Sequence, residues 1–257
     1  MAMALFRSKS PALADGDRIE VAGAPVLLRV SSRSQRISLR LDAANRQIVA
    51  IAPSPKHLPG AVAFAQQRAD WIREQLQALP SALPLAPGYS ISVLGQPCRL
   101  EAAGTPRARA RWHEEGAELV LTCGGEDDES FARAVVRALR ARALEVLAER
   151  TAYHATALGA PMPSVTIMDA RGRWGSCKPA RRFGFGAAAS VGEIRYSWRL
   201  IMAPYEVMDY VAAHECAHLL EANHGPKFWG WVQTLVGDPR KSRAWLRRYG
   251  AELHAVG

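Results

Sequence analysis

The segment His214-Glu215-Cys216-Ala217-His218, followed by His224, constrains this chain more than any other stretch, because its polar groups can work together only on a helix. At 3.6 residues per turn, positions four apart differ by about 40° around the axis, so His214 and His218 project from one face and can share an ion. Glu215 stands about 100° from His214, near enough to reach the ion's solvent side without binding it. Imidazole suits zinc, and a catalytic zinc site takes three protein ligands and keeps one position for water. His224 is the favoured third ligand. Glu221 is the rival, one turn or less beyond His218, although a carboxylate at the end of a helix is also an ordinary surface group. The expected chemistry is hydrolysis of an amide bond by metal-activated water, with Glu215 as general base.

The flanks predict a helix that is buried except where it faces the ion. Pro204 suits a first-turn position, and Val207, Met208, Val211, Ala212, Leu219 and Leu220 supply apolar surface. Asn223 and Gly225 are expected to end this helix and turn the chain back, bringing His224 toward the ion. A lone histidine in an apolar setting is usually a hydrogen-bonded core residue, but that reading must explain two histidines, the glutamate and the spaced third histidine separately. The metzincin signature has glycine where this chain has Glu221, and no methionine follows His224, both of which argue against a metzincin. Arg173 and Tyr249 are the candidate oxyanion stabilisers, and Phe228, Trp229 and Trp231 are expected to pack the last helix against the metal helix.

Further residues carry a family resemblance. Arg173-Trp174-Gly175-Ser176-Cys177, then Trp198-Arg199-Leu200 ahead of Ala203-Pro204, then the His-Glu-x-x-His run, then Asn223-His224-Gly225-Pro226-Lys227-Phe228-Trp229 resemble the YgjP-like predicted metallopeptidases in order and spacing. The His224-Gly225-Pro226 segment is also similar to the third-ligand segment of SprT-like (Spartan) proteases. The resemblance implies Zn2+, a zincin-like helix and strand domain, and His224 as ligand. It also raises an alternative, a nucleic-acid-associated protease of SprT-like type. Cys216 departs from the apolar residue usual after the His-Glu pair, and the stretch between Cys177 and Trp198 is longer than the compact family pattern.

The fold expected is α+β, with a flexible tail over residues 1–15, a β-rich domain over 16–128 and the metallopeptidase domain over 129–257. Alternating apolar positions at 18–21, 26–30, 37–41 and 48–51 read as an antiparallel meander, with further strands at 90–94, 98–102 and 119–123. One helix is expected over 61–79, ending in the proline-rich connector 80–88. A long support helix follows over 130–158, then strands at 165–168, 183–187 and 195–202, one of which could offer an edge to a peptide substrate. The residue pattern shows no internal repeat.

A content of 49% hydrophobic and 22% charged residues is that of a folded soluble protein, and no segment suits a membrane span or a secretory signal, so a cytoplasmic protein is expected. Cys98, Cys123, Cys177 and Cys216 have neither paired nor Cys-x-x-Cys spacing, which argues for reduced thiols, with Cys216 turned away from the metal. The net charge of +9 gathers at Arg171, Arg173, Lys178, Arg181 and Arg182, and again at Arg240, Lys241, Arg243, Arg247 and Arg248. Such groups can meet phosphates, with Trp174, Phe183, Phe185 and Trp245 as stacking surfaces, or can simply be solvated. A zinc-stabilised nucleic-acid-binding module without catalysis is the remaining alternative.

Overall fold

The structure is a computed structural model that describes residues 13–79, 84–170, 172–180 and 191–256. The chain forms two compact units, residues 1–80 and 81–257. In the first, strands β1 (Arg18–Val21), β2 (Ala24–Val30), β3 (Ser38–Asp42) and β4 (Gln47–Ala52) precede helices α1 (Leu58–Gln67) and α2 (Ala69–Gln77). The sheet order is β1-β2-β4-β3, with β2 and β4 parallel, which corrects the expected antiparallel meander. Burial explains the crossover. Ile48, Ala50 and Ala52 of β4 are fully buried and take a central place, while Ser38, Arg40 and Asp42 make β3 suited to an edge. The helix expected over 61–79 is broken at Arg68, where φ is −107° and ψ 24°. The apolar spacing of Leu58, Ala61, Ala65 and Ile72 runs through the break, so residue periodicity alone reads one helix.

The second unit opens with the same arrangement. Strands β5 (Ser90–Val93), β6 (Gln96–Ala102), β7 (Arg111–Glu115) and β8 (Glu118–Cys123) lie in the order β5-β6-β8-β7, again with the second and fourth parallel. Through the first hairpin of each sheet residues correspond at a constant offset. The first hairpin turns through Ala22 (φ 51°) and Gly23 (φ 80°), the second through Leu94 (φ 51°) and Gly95 (φ 84°). Gly16 and Gly88 donate to the carbonyls of Leu28 and Leu100. The backbone thus repeats where the residue pattern does not, because a two-residue turn with positive φ and an apolar central strand can be written in many residues. Strand β7 escaped the sequence reading, since Arg111-Trp112-His113-Glu114-Glu115 is mostly polar.

Helix α3 (Asp128–Ala157) follows, capped by the Asp127 carboxylate on the Ser130 N–H at 2.7 Å and by the Ser130 hydroxyl on the Asp127 N–H at 3.0 Å. Its buried residues Phe131, Val135, Leu139, Ala143 and Val146 share one core with Leu100 and Leu121 of the preceding sheet and Val211 further on. The sheet β5–β8 and helix α3 thus fall in a single core, and the division between the two compact units comes after residue 80. Each fully buried Leu or Val contributes about 1.5–3 kcal/mol, so a core of this extent does not separate at its middle.

A three-stranded sheet of order β10-β11-β9 completes the frame, from β9 (Ser164–Met168), β10 (Gly175–Lys178) and β11 (Glu193–Ser197). The strand expected over 195–202 stops at Ser197. Residues Trp198–Met202 form a 3-10 turn and are all buried, which an alternating strand with one solvent face cannot achieve. Arg199 is tolerated there because its guanidinium pairs with Asp169 and donates to the Val256 carbonyl at 3.1 Å. Helices α4 (Tyr205–Ala217), α5 (Pro226–Val236) and α6 (Arg240–His254) end the chain. The strand expected at 183–187, with Arg171, Arg181, Arg182, Phe183 and Phe185, lies outside the described residues, as do residues 1–12 of the expected tail and 80–83 of the connector. Among the described residues no helix is long and apolar enough to cross a membrane.

Candidate metal centre

Helix α4 carries the candidate site and is held on several sides. Helices α3, α5 and α6 and strand β10 all contact it. Arg150 and His154 of α3 reach Asp209 of α4, each at 2.7 Å, and the Cys216 thiol points to the Thr151 carbonyl at 3.7 Å, away from the histidines as its helical position predicts. At the amino end of α4, the second hairpin turn is a buttress. The Leu94 N–H donates to the Ile201 carbonyl at 2.8 Å, and a Cβ on Gly95 would lie 3.4 Å from Pro204.

The helix stops earlier than expected. His218 is its C-cap, and the Leu219 and Leu220 N–H groups bond to the Cys216 and Ala217 carbonyls in a tightened turn, so the last carbonyls are satisfied without Asn223 or Gly225. Gly225 instead caps the start of α5, with Pro226 in its first turn. His224 therefore sits just ahead of α5 and follows the carboxyl end of α4.

The three histidines converge. Their ligand-capable nitrogens all lie within 4.8 Å of one another, and Nε2 of His214 is 3.1 Å from Nε2 of His224. Two imidazoles sharing a tetrahedral zinc at about 2.0–2.1 Å each would stand about 3.3 Å apart, so the spacing is that of a ligand pair. The same distance suits an N–H···N hydrogen bond between two rings, and the third ring closing on both makes the three a candidate ligand set. Nδ1 of His218 donates to the Glu221 carbonyl at 2.9 Å, which turns its Nε2 lone pair inward, and the Tyr210 hydroxyl lies 3.5 Å from Nδ1 of His214. Glu221 thus enters through its backbone, while His224 joins the cluster. Burial, followed by the charges of His218, His224 and Arg243, holds the His214 ring down to about 4, leaving it neutral and fit to bind a cation. A structural zinc closes with four protein ligands, whereas this cluster offers three among the described residues. The residues present fit a catalytic metal ion.

Phe228 is fully buried and backs the cluster, its ring 4.8, 4.5 and 4.6 Å from those of His214, His218 and His224. Trp229 lies farther out, 6.1 Å from His214 and 5.9 Å from His224. Trp231, expected to pack inward, is 38% exposed, because it falls on the solvent side of α5.

Glu215 is 6% exposed, and burial pushes its carboxyl up to about 7, the Arg173 guanidinium pulling the other way. Its seat is Gly175 of β10. A Cβ there would stand 2.5 Å from Oε1 of Glu215, so the strand backbone lies directly against the carboxylate. A glycine inside a strand signals such an approach, but residues 175–178 were not read as a strand. Cys177, two residues along the same face, is neutral, burial pushing its thiol up to about 12. Of the two candidate oxyanion donors, exposed Arg173 stays within electrostatic reach of Glu215. Tyr249 instead faces a separate groove with Ile91, Pro204 and Trp245. A second group, Glu101, His113 and Glu115, also has ligand spacing, but the Arg99 guanidinium already pairs with both carboxylates.

Fold and site define an α+β protein with a candidate three-histidine metal centre and a buried glutamate beside it. The chain belongs to the YgjP-like family, whose metallopeptidase domain matches residues 33–249. No curated protein and no solved structure matches it at a significant level.

Proposed function

We propose that the protein is a zinc-dependent metallopeptidase of zincin-like architecture, in which His214, His218 and His224 hold the ion and Glu215 is the general base. The observation that carries this reading is the closure of three imidazoles on one point with a nearly buried carboxylate alongside. A zinc ion bound there supplies Lewis acidity and lowers the pKa of water to about 7. Glu215 accepts the proton of the attacking water and returns it to the leaving amide nitrogen, so that the amine departs neutral. Its raised pKa suits a group that must both take and give a proton near neutrality. Exposed Arg173, on the loop just ahead of β10, is the remaining candidate to stabilise the developing oxyanion.

Strand β10 supports a binding mode for the substrate. It is the edge of its sheet among the described residues, and its Gly175 touches Glu215. An extended peptide adding to that edge would be held by main-chain hydrogen bonds with its carbonyls passing the general base. The test is Glu215→Gln in the zinc-loaded protein. Retained zinc and an unchanged melting temperature with lost peptide hydrolysis are expected; hydrolysis at the wild-type rate refutes the general-base role.

A further inference from the structure

Helix α6 places its cations where they do not help the helix. Arg240, Lys241 and Arg243 occupy the first turns, with no acidic residue among them, although the positive end of the helix dipole disfavours cations there. With Arg247 and Arg248 they share the exposed side, while Ser242, Trp245, Tyr249 and Leu253 turn inward. Arg240 pairs with Asp238; the other four cations form no ion pair among the described residues.

One of these cations reaches the metal centre. The Arg243 guanidinium lies 4.6 Å over the Trp229 ring, which is itself about 6 Å from the rings of His214 and His224. Arg173 lies within electrostatic reach of Glu215. Its neighbour Trp174 stacks on His254 of α6 at 4.3 Å, and a Cβ on Gly250 would stand 2.9 Å from the indole. The loop bearing Arg173 is thereby pinned to the helix bearing Arg243.

We propose, resting on the peptidase reading above, that Arg243, with Arg247 one turn along α6, recognises carboxylate side chains of an acidic peptide segment flanking the scissile bond. An extended peptide advances about 3.3 Å per residue, so a cation one aromatic ring away from the ligands meets a side chain within a few residues of the cleaved bond. Guanidinium groups bind carboxylates with two parallel hydrogen bonds, and Trp229 holds this one in place. The aromatic surfaces favour a peptide over a single-stranded nucleic acid. The Trp229 face that a base would stack on is covered by Arg243, Arg248 lies 5.1 Å over Tyr249, and Trp245 packs against Tyr249 at 5.2 Å.

The experiment uses the full zinc-loaded chain and two readouts, anisotropy of labelled peptides of Glu-rich, Gln-rich or Lys-rich sequence, and kcat/KM on quenched versions of the same peptides. The Glu-rich peptide should bind tightest, and Arg243→Gln and Arg247→Gln should each weaken it about tenfold, the scale of one charge-assisted hydrogen bond, with the Gln-rich peptide unaffected. Arg243→Lys should restore part of the preference, and Arg243→Glu should reverse it toward the Lys-rich peptide. Equal binding of the three peptides by the wild-type chain, or variants that weaken all three alike, overturns the proposal. So does a single-stranded oligonucleotide that binds through the same arginines while Glu-rich peptide fails to compete. Arginine-dependent binding of the Glu-rich peptide without hydrolysis of any peptide would uphold the surface and refute the peptidase reading instead.

Discussion

Replacing Gly175 by alanine tests the proposed active-site geometry with one methyl group. The added Cβ would lie 2.5 Å from Oε1, 2.6 Å from Cγ and 2.7 Å from Cδ of Glu215, against 3.4 Å for ordinary contact. The carboxylate must therefore retreat by about 0.7–0.9 Å, the shortfalls of those contacts. Cγ is among the clashing atoms, so turning the carboxylate plane alone does not relieve them. A misplacement of about 1 Å in a reacting group can lower the rate by about 10²-fold, and overpacking of this kind costs about 1–3 kcal/mol of stability. Gly175 does not adopt positive φ, so alanine introduces no backbone strain and the effect reads the contact alone. We expect Gly175→Ala to keep its zinc, measured by metal analysis after dialysis, and to lose about two orders of magnitude in kcat on a fluorogenic peptide. A folded, zinc-loaded variant with wild-type kcat refutes the argument that β10 seats the general base.

Phe228→Ala removes the fully buried ring behind all three histidines, and is expected to cost about 3–5 kcal/mol in chemical denaturation and to release zinc more readily to a competing chelator. Unchanged zinc retention would show that the ring fills space without holding the ligands. Asp209 gives a pH-dependent test of the α3–α4 contact. Burial raises its carboxyl, but hydrogen bonds from His154 and Arg150 outweigh that and hold it below the ordinary 3.8. Its stabilising contribution is then complete above the ordinary carboxylate range and is lost as pH falls through the lowered value. The melting-temperature gap between wild type and Asp209→Asn should accordingly narrow below pH 3.8, and a gap independent of pH would contradict the assignment.

The candidate site was legible in the sequence to the extent that it is local. His214 and His218 share a helix face because helical pitch requires it, and Glu215 follows from the same periodicity. Tyr210, four residues ahead of His214, lay within reach of the same reasoning and was missed. Long apolar periodicity marked α3, whereas β7 is too polar and β10 too short to announce themselves.

The residue order by itself determined the helix, its histidine-bearing face, the acid-capped start of α3 and the membership of a family recognised by motif. Tertiary structure decided the approach of His224, the seat of Glu215 on Gly175, the position of Arg243 beside Trp229, the crossover that puts β4 and β8 at the centre of their sheets, and the backbone repeat. The reason is physical. Helical spacing is set by hydrogen bonds between residues four apart, while strand order and the meeting of distant side chains are settled by which surfaces the whole chain can bury together.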